Sequence, residues 1–268
     1  MTSTPLVPAG LSVLTNSPVE GLAVFSKPSA NPKATVICIH GGLDRGGSFA
    51  RMARRLDDFD VLTYDRRGYQ SSRDLSPLDI EYHIDDLLGI AEFASASGPV
   101  LYFGHSFGGT VALGAAIREP ALSQGVVAFE SPLPWVLNRI SSREELSDDP
   151  EFEAEMFFRR MVGNKSWERL SEQEKQSRRA DGAGLLSDLG LLRKRLVPYD
   201  LSQLSVPTLY VHGDGMMVDY YRELVKLLPD FSPSISSMEL AAANHGAHLS
   251  NPDQLAQLLR EFWTQQCE

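Results

Sequence analysis

Residues 100–109 have the sequence Val-Leu-Tyr-Phe-Gly-His-Ser-Phe-Gly-Gly and lie near the middle of the 268-residue chain. The apolar residues 100–103 predict a buried β-strand, and residues 110–117 predict a helix directly afterwards. The pattern Gly-x-Ser-x-Gly, centred on Ser106, therefore lies at a strand-to-helix turn. Such a tight turn leaves no room for side chains at its glycines, and it holds the serine hydroxyl clear of the sheet. Ser106 is therefore the candidate nucleophile.

Short apolar runs alternate with helical patterns on both sides of this turn. Further strands are predicted over residues 34–39, 60–64, 125–129, 207–211 and 235–240, and helices over residues 48–56, 79–96, 220–228 and 254–262. Strands that are apolar throughout are typical of a parallel sheet with helices on both faces. Residues 11–15 and 22–26 predict an antiparallel hairpin at one edge. The predicted fold class is α/β, with a mostly parallel eight-stranded sheet.

The regular alternation pauses between Ser131 and Val206. Residues 138–200 contain 13 acidic and 12 basic side chains, a much higher density than the 22% of charged residues in the whole chain. Apolar residues recur among these charges at spacings that predict three or four amphipathic helices. We therefore expect residues 131–200 to form a small helical insertion and residues 1–130 and 201–268 to form the core. The predicted packing residues of the insertion, some of which are expected to face the cleft instead, are Phe152, Met156, Phe157, Phe158, Met161 and Trp167.

Composition excludes several classes of protein. The net charge of −10 argues against nucleic acid and anionic membranes as partners. The first residues lack the features of a secretory signal, and no apolar run approaches 18 residues. Two cysteines, Cys38 and Cys267, provide neither a disulfide framework nor a metal-ligand cluster. We expect a cytoplasmic protein, a monomer or homodimer, that acts on a small molecule and needs no cofactor or metal.

Together with these elements, two further motifs give the sequence a resemblance to the α/β-hydrolase fold superfamily, which extends over nearly the whole chain. His40-Gly41-Gly42 follows a predicted strand and resembles the family's oxyanion loop, while Asp65-Arg66-Arg67-Gly68 resembles its Asp-x-Arg-Gly turn. The resemblance implies that the backbone amides of Gly42 and Phe107 form an oxyanion hole, with Leu43 as the alternative to Gly42. It also implies that His40 braces the loop and that the insertion covers Ser106 as a cap.

The resemblance also indicates the general base. In similar proteins this histidine follows the last strand and precedes, by seven residues, a proline that opens the final helix. His245 has that spacing to Pro252. His248 then corresponds to a second histidine of the loop or pocket, and His212 is expected to brace the turn at the end of its strand.

The acid of a serine–histidine–acid triad departs from the family pattern. Its usual position, three residues beyond Gly213, is occupied by Met216, which cannot orient a histidine. Glu130, at the end of the strand over residues 125–129, is the preferred acid, because a carboxylate there needs a partner to offset its burial. Asp214 and Asp219 remain alternatives.

These residues predict a serine hydrolase that cleaves a small ester or related acyl substrate through an acyl-enzyme on Ser106. A serine at this turn disfavours epoxide hydrolase and dehalogenase activity, because similar proteins with those activities have an aspartate at this position. Thioesterase, carbon–carbon hydrolase and perhydrolase activities would use the same residues. The alternative from another class is a protein that binds a small ligand with little or no turnover, which the methionine at position 216 suggests.

Overall fold

The computed structural model describes residues 7–137, 146–193 and 197–266, which include one sheet of eight strands. The strands are β1 (Ser12–Val13), β2 (Val24–Lys27), β3 (Thr35–Ile39), β4 (Asp60–Tyr64), β5 (Val100–His105), β6 (Gly125–Phe129), β7 (Thr208–Gly213) and β8 (Ile235–Leu240). Their order is β1-β2-β4-β3-β5-β6-β7-β8. The pairs β1–β2 and β2–β4 are antiparallel, and the other neighbouring pairs are parallel. The predicted fold class is confirmed, including the hairpin at the edge.

Helices connect the strands. They are α1 (Ala50–Ala53), α2 (Ile80–Ser95), α3 (Phe107–Arg118), α4 (Pro150–Met161), α5 (Asn164–Glu168), α6 (Glu172–Ala180), α7 (Gly182–Arg193), α8 (Val218–Phe231), α9 (Ala247–Ser250) and α10 (Pro252–Gln266). The predicted helix over residues 48–56 is a 3₁₀ turn, Gly46–Phe49, followed by the short α1. In the described part of the chain, no helix has the length and apolar character needed to cross a membrane. Cys267 and parts of the predicted insertion, residues 138–145 and 194–196, lie outside the described residues.

Neighbouring residues of each central strand face opposite sides of the sheet, and both sides are buried. In β3, Ile37 and Ile39 pack in the core that contains α2, α3 and α8. Val36 and Cys38 pack in the core that contains α1 and α10. Because each face needs apolar side chains, the strand is apolar without interruption from Val36 to Ile39. Each such side chain contributes about 1.5–3 kcal/mol by its burial.

Strands β3 to β8 run in the same direction, so their carboxyl ends share one edge of the sheet. His105 at the end of β5 lies beside Phe129 of β6, and Gly213 of β7 lies beside Leu240 of β8. The next residue along from β5 is Ser106, and the next one from β6 is Glu130. Polar residues that are far apart in sequence are thus gathered at this edge, where open α/β sheets bind their ligands.

Helices α4 to α7 lie between β6 and β7 and have a small core of their own. Leu43, which follows the His-Gly-Gly segment, is part of this cluster, and its contacts attach the insertion to the edge of the sheet. The other buried members are Ala154, Phe158, Trp167 and Leu185.

The predicted packing residues of the insertion divide into three groups. Phe158 and Trp167 are buried, as expected, and Phe157 and Met161 are half-buried. Phe152 and Met156 are 53% and 41% exposed, so the expectation that they pack in the core of the insertion was wrong. Phe152 and Met156 are four residues apart and share one face of α4, whereas Ala154 and Phe158 share the face that packs inward. The spacing of apolar residues did not show which of the two faces is buried.

We predict that Gly108→Ala lowers the free energy of unfolding by about 3 kcal/mol, because a Cβ at Gly108 would lie 2.2 Å from the carbonyl oxygen of Ile39. Urea unfolding measures the change. Gly190→Ala in α7 is the matched control, since a Cβ there meets no atom within 4 Å. This control should be neutral or stabilising by up to about 1 kcal/mol. Equal stability of the two variants would contradict the close packing of the turn.

Candidate active site

The turn between β5 and α3 holds Ser106 in an unusual backbone conformation. Its φ of 52° and ψ of −127° lie outside the regions that non-glycine residues normally occupy, at a cost of about 1–3 kcal/mol. The Ser106 N–H donates to the carbonyl of Phe129 at 2.8 Å, which joins the turn to β6. A Cβ at Gly104 would lie 2.4 Å from the Cα of Gly109, so strand and helix are in backbone contact. These contacts hold Ser106 at the tip of the turn.

The amide of Phe107 is the first of helix α3, directly after Ser106. Within the described residues it has no hydrogen-bond acceptor, as is usual for the first amides of a helix. The twelve-residue helix concentrates partial positive charge at this end. A negative oxygen next to Ser106 would therefore be stabilised by the Phe107 N–H.

His40 braces the loop that follows β3. Its Nδ1 donates to the carbonyl of Gly41 at 2.7 Å, and its Nε2 accepts the backbone N–H of Arg66 at 2.9 Å. Burial and the nearby Arg66 charge lower the pKa of His40 to about 3. Both ring nitrogens are occupied, so His40 has the bracing contacts expected from the sequence.

The orientation of the Gly42 amide follows from these contacts. The Gly41 carbonyl is held by His40 and also accepts from Arg66 Nη2 at 3.3 Å. Because the carbonyl and the next N–H of a trans peptide point in opposite directions, the Gly42 N–H points away from this cluster. A Cβ at Gly41 would lie only 2.8 Å from the Cβ of Ser106, so the loop packs directly against the serine.

Glu130 and His245 are in close hydrogen-bond contact. Glu130 Oε2 lies 2.6 Å from His245 Nδ1, and Glu130 Oε1 accepts the N–H of Gly213 at 3.0 Å. Glu130 is only 1% exposed and has a positive φ of 47°. The carboxylate is thus buried, fixed by a backbone amide and directed at the imidazole. Since Glu130 occupies Nδ1, Nε2 is the nitrogen of His245 that remains for proton transfer.

The alternative acids have other surroundings. Asp214 is exposed, and its Oδ2 accepts the N–H of Ala242 at 3.0 Å. Asp219 is exposed in the first turn of α8, and the Met216 side chain is 51% exposed. In the described chain, Glu130 is the carboxylate that contacts His245. The other sequence-derived histidine of this edge, His212, donates from Nδ1 to the carbonyl of Gly213 at 2.9 Å, in keeping with the bracing contact that was expected.

Sequence reasoning missed a buried ion pair that joins the insertion to the loop after β4. Asp188 of α7 lies 2.6 Å from Arg66 Nη2 and accepts the Tyr69 hydroxyl at 2.6 Å. Burial opposes the charge of Arg66, but Asp188 raises the pKa of the guanidinium above its usual range, so Arg66 stays charged. The same guanidinium donates to the carbonyl of His40 at 2.9 Å. The charges of residues 66 and 188 were visible in the sequence, but their pairing was not.

Helix α7 also borders the loop after β3 with an apolar side chain. A Cβ at Gly42 would lie 3.2 Å from Leu185 Cδ1 and 3.6 Å from Asp188 Oδ2. The insertion thus contributes one apolar and one charged residue to the surroundings of the Gly42 amide.

The sheet order, the strained serine turn and the histidine–carboxylate pair at the carboxyl edge together define an α/β hydrolase. A family model described as the alpha/beta hydrolase family matches residues 36–258, and the chain belongs to this family.

Relatives and solved structures agree with this assignment. A pimeloyl-[acyl-carrier protein] methyl ester esterase from Xanthomonas oryzae pv. oryzae is 27% identical over 85% of this chain and 94% of its own length. A putative carbamate hydrolase, RutD, from Rhizobium rhizogenes is 28% identical over 82% of this chain and 88% of its own. A bromoperoxidase structure from Bacillus anthracis superposes with a TM-score of 0.69 at 20% identity, covering 91% of this chain and 96% of that one. The last similarity concerns the fold alone.

We predict that acid destabilises the protein partly through His40. Its pKa of about 3 lies below the roughly 6.5 of an unfolded histidine, so below pH 6.5 the unfolded chain binds a proton that the folded chain excludes. The contribution of His40 to the free energy of unfolding is fully present above pH 6.5 and is lost, by about 1.4 kcal/mol per pH unit, as the pH falls toward 3. The free energy of unfolding, measured with urea at each pH between 7 and 4, should fall less steeply with falling pH in His40→Gln than in wild type, by this amount. The exposed Asp214→Asn should keep the wild-type slope, and equal slopes for His40→Gln and wild type would contradict the prediction.

Proposed function

We propose that this protein is a serine hydrolase that cleaves a small ester or related acyl substrate, with Ser106 as nucleophile, His245 as general base and Glu130 as the acid that orients it. The observation that carries the proposal is the 2.6 Å contact between Glu130 Oε2 and His245 Nδ1, next to the strained turn of Ser106. A buried carboxylate on one ring nitrogen fixes the tautomer in which the other nitrogen accepts a proton.

The reaction proceeds in two halves. Ser106 Oγ attacks the acyl carbon while His245 Nε2 takes the hydroxyl proton, and the bond to the leaving group breaks as His245 returns that proton to it. Water then attacks the acyl-enzyme, His245 again takes the proton, and the acid product leaves with Ser106 restored. Glu130 remains ionised throughout and stabilises the imidazolium.

The amides of Gly42 and Phe107 are the proposed oxyanion donors. Support comes from the Gly41 carbonyl, which is held on the far side of its peptide by His40 and Arg66, and from the position of Phe107 at the start of α3. Amides fixed in this way need no reorganisation when charge develops, and each donor is worth about 2.7–4 kcal/mol of transition-state stabilisation.

Residues 131–200 are proposed to act as a cap on a core formed by residues 1–130 and 201–268. Leu185 next to Gly42 supplies an apolar surface for the acyl group or the leaving group. The names of two relatives, a methyl ester esterase and a putative carbamate hydrolase, both describe a carbonyl carbon bonded to oxygen. Both names favour an ester-like bond as the one that is cleaved.

A fluorophosphonate probe tests the nucleophile directly. We expect stoichiometric labelling of the folded protein, mapped to Ser106 by mass spectrometry, because a deprotonated serine oxygen forms a stable bond with the phosphorus. Ser106→Ala should abolish the labelling, whereas Ser131→Ala should leave it unchanged. Wild-type protein that stays unlabelled while folded would favour a ligand-binding role over catalysis.

Glu130→Gln tests the acid. The amide cannot stabilise the imidazolium, so we expect kcat for an activated short-chain ester to fall by about 10⁴-fold. Asp214→Asn is the control, and an exposed substitution of this kind should change the rate by no more than about twofold. A collapse of the rate in Asp214→Asn with near-normal turnover in Glu130→Gln would reverse the assignment. A panel of esters, thioesters and carbon–carbon substrates would then identify the bond that is cleaved.

A further inference from the structure

A second cluster of polar side chains lies at the carboxyl edge of the sheet, beside the residues assigned to hydrolysis. Asp44, His105 and His248 each present a potential ligand atom, and these atoms lie within 4.8 Å of one another. Asp44 Oδ2 is 3.1 Å from His248 Nε2 and 4.0 Å from His105 Nδ1. The three residues are far apart in sequence, and none has a role in the proposed acyl transfer.

His105 has a ring nitrogen with no hydrogen-bond partner. Its Nε2 lies 2.7 Å from the carbonyl oxygen of His245, and since a carbonyl only accepts, Nε2 carries the proton. In the neutral ring Nδ1 then has a free lone pair, and within the described residues it has no hydrogen-bond partner. His105 is only 5% exposed, so this lone pair is also shielded from solvent. A buried acceptor without a partner costs about 1–3 kcal/mol.

His248 is the second buried histidine of this cluster. It is 2% exposed, and neither ring nitrogen makes a well-oriented hydrogen bond within the described residues, although Nε2 is close to Asp44. The rings of His105 and His248 are 4.3 Å apart between centroids. An ion pair between Asp44 and His248 alone would leave the His105 nitrogen unexplained.

We propose that Asp44, His105 and His248 form a binding site for a divalent transition-metal ion, with Zn²⁺ as the best chemical match. Two imidazoles and one carboxylate are a common protein ligand set for zinc, which takes water as a fourth ligand. Ligands at about 2.0–2.2 Å from zinc are roughly 3.3–3.6 Å apart. The ligand atoms here are 3.1 Å and 4.0 Å apart in the two Asp44 pairs and all lie within 4.8 Å, so small side-chain movements would suffice.

The surroundings of the cluster suit a metal site. The Nε2–H of His105 donates to a backbone carbonyl, and the Ser48 hydroxyl donates to Asp44 Oδ2 at 3.0 Å. Such outer contacts fix the tautomer and direction of the metal ligands. Asp44 also lines a cavity of about 330 Å³ with Ser48, Arg45 and Arg178, so the carboxylate end of the cluster borders open space.

The site is coupled to the loop that carries His245. The His105 ring connects the metal position with the His245 carbonyl through one hydrogen bond, and His248 follows His245 by three residues. A bound ion would therefore tie this loop to β5 and to the segment after β3. We expect the ion to stabilise the fold, raising Tm, and to take no part in the acyl transfer.

Calorimetric titration of Zn²⁺ into the full chain, stripped of metal by a chelator, tests the site. We expect one ion per chain, with affinity reduced at least about 100-fold in His248→Gln and in Asp44→Asn. His245→Gln and Asp214→Asn should retain the wild-type affinity, because neither side chain is a proposed ligand. Equal binding by wild type and His248→Gln, or no stoichiometric binding by wild type, would overturn the proposal.

Cobalt(II) provides a readout that does not depend on activity. Four-coordinate Co²⁺ absorbs visible light far more strongly than six-coordinate Co²⁺, so the intense band should appear with wild type and with His245→Gln but not with His248→Gln. Circular dichroism of each variant shows whether it is folded. A weak six-coordinate spectrum in folded wild type would contradict the site.

Discussion

The geometry of the serine turn depends on backbone contacts that side chains would prevent. Strand β5 and helix α3 approach so closely that a Cβ at Gly104 or Gly108 would overlap main-chain atoms of α3 or β3. The strained conformation of Ser106 persists because these contacts, together with the hydrogen bond to Phe129, leave no relaxed alternative. The amides at the start of α3 and the loop after β3 are both positioned by this packing, so the proposed oxyanion site is a property of the fold.

The pairing of Glu130 with His245 explains how the chain accommodates methionine at position 216. Strand β6 lies next to β7, so a carboxylate at the end of either strand is close to the loop after β8. Glu130 adopts a positive φ and a hydrogen bond from Gly213, and together these hold its buried side chain across the end of β7. The position left by the usual acid is exposed and has no remaining structural demand, so a methionine there carries little cost.

The sequence predicted those features that depend on local patterns. The apolar runs predicted the α/β fold class, and the glycines around Ser106 predicted the turn. The spacing from His245 to Pro252 indicated the candidate base. The place of Glu130 at a strand end made it the preferred acid, but Asp214 and Asp219 stayed open because the contact with His245 spans 115 positions. The exposed face of α4 was misassigned for a similar reason, because packing among four helices decides which of its apolar faces is buried. The partnership of Arg66 with Asp188 likewise emerges only in three dimensions.

The buried ion pair between Arg66 and Asp188 has a consequence for the position of α7. Moving α7 away from the sheet would leave a guanidinium and a carboxylate without each other in an apolar setting, at a cost of about 3–5 kcal/mol. At this free-energy cost, the state in which α7 has moved away from the sheet would be populated at less than about one per cent. If the insertion is a cap, as proposed above, α7 is therefore the part of it that this ion pair holds in place over the sheet. The same Arg66 side chain that contacts the loop after β3 thereby keeps α7 fixed against the sheet.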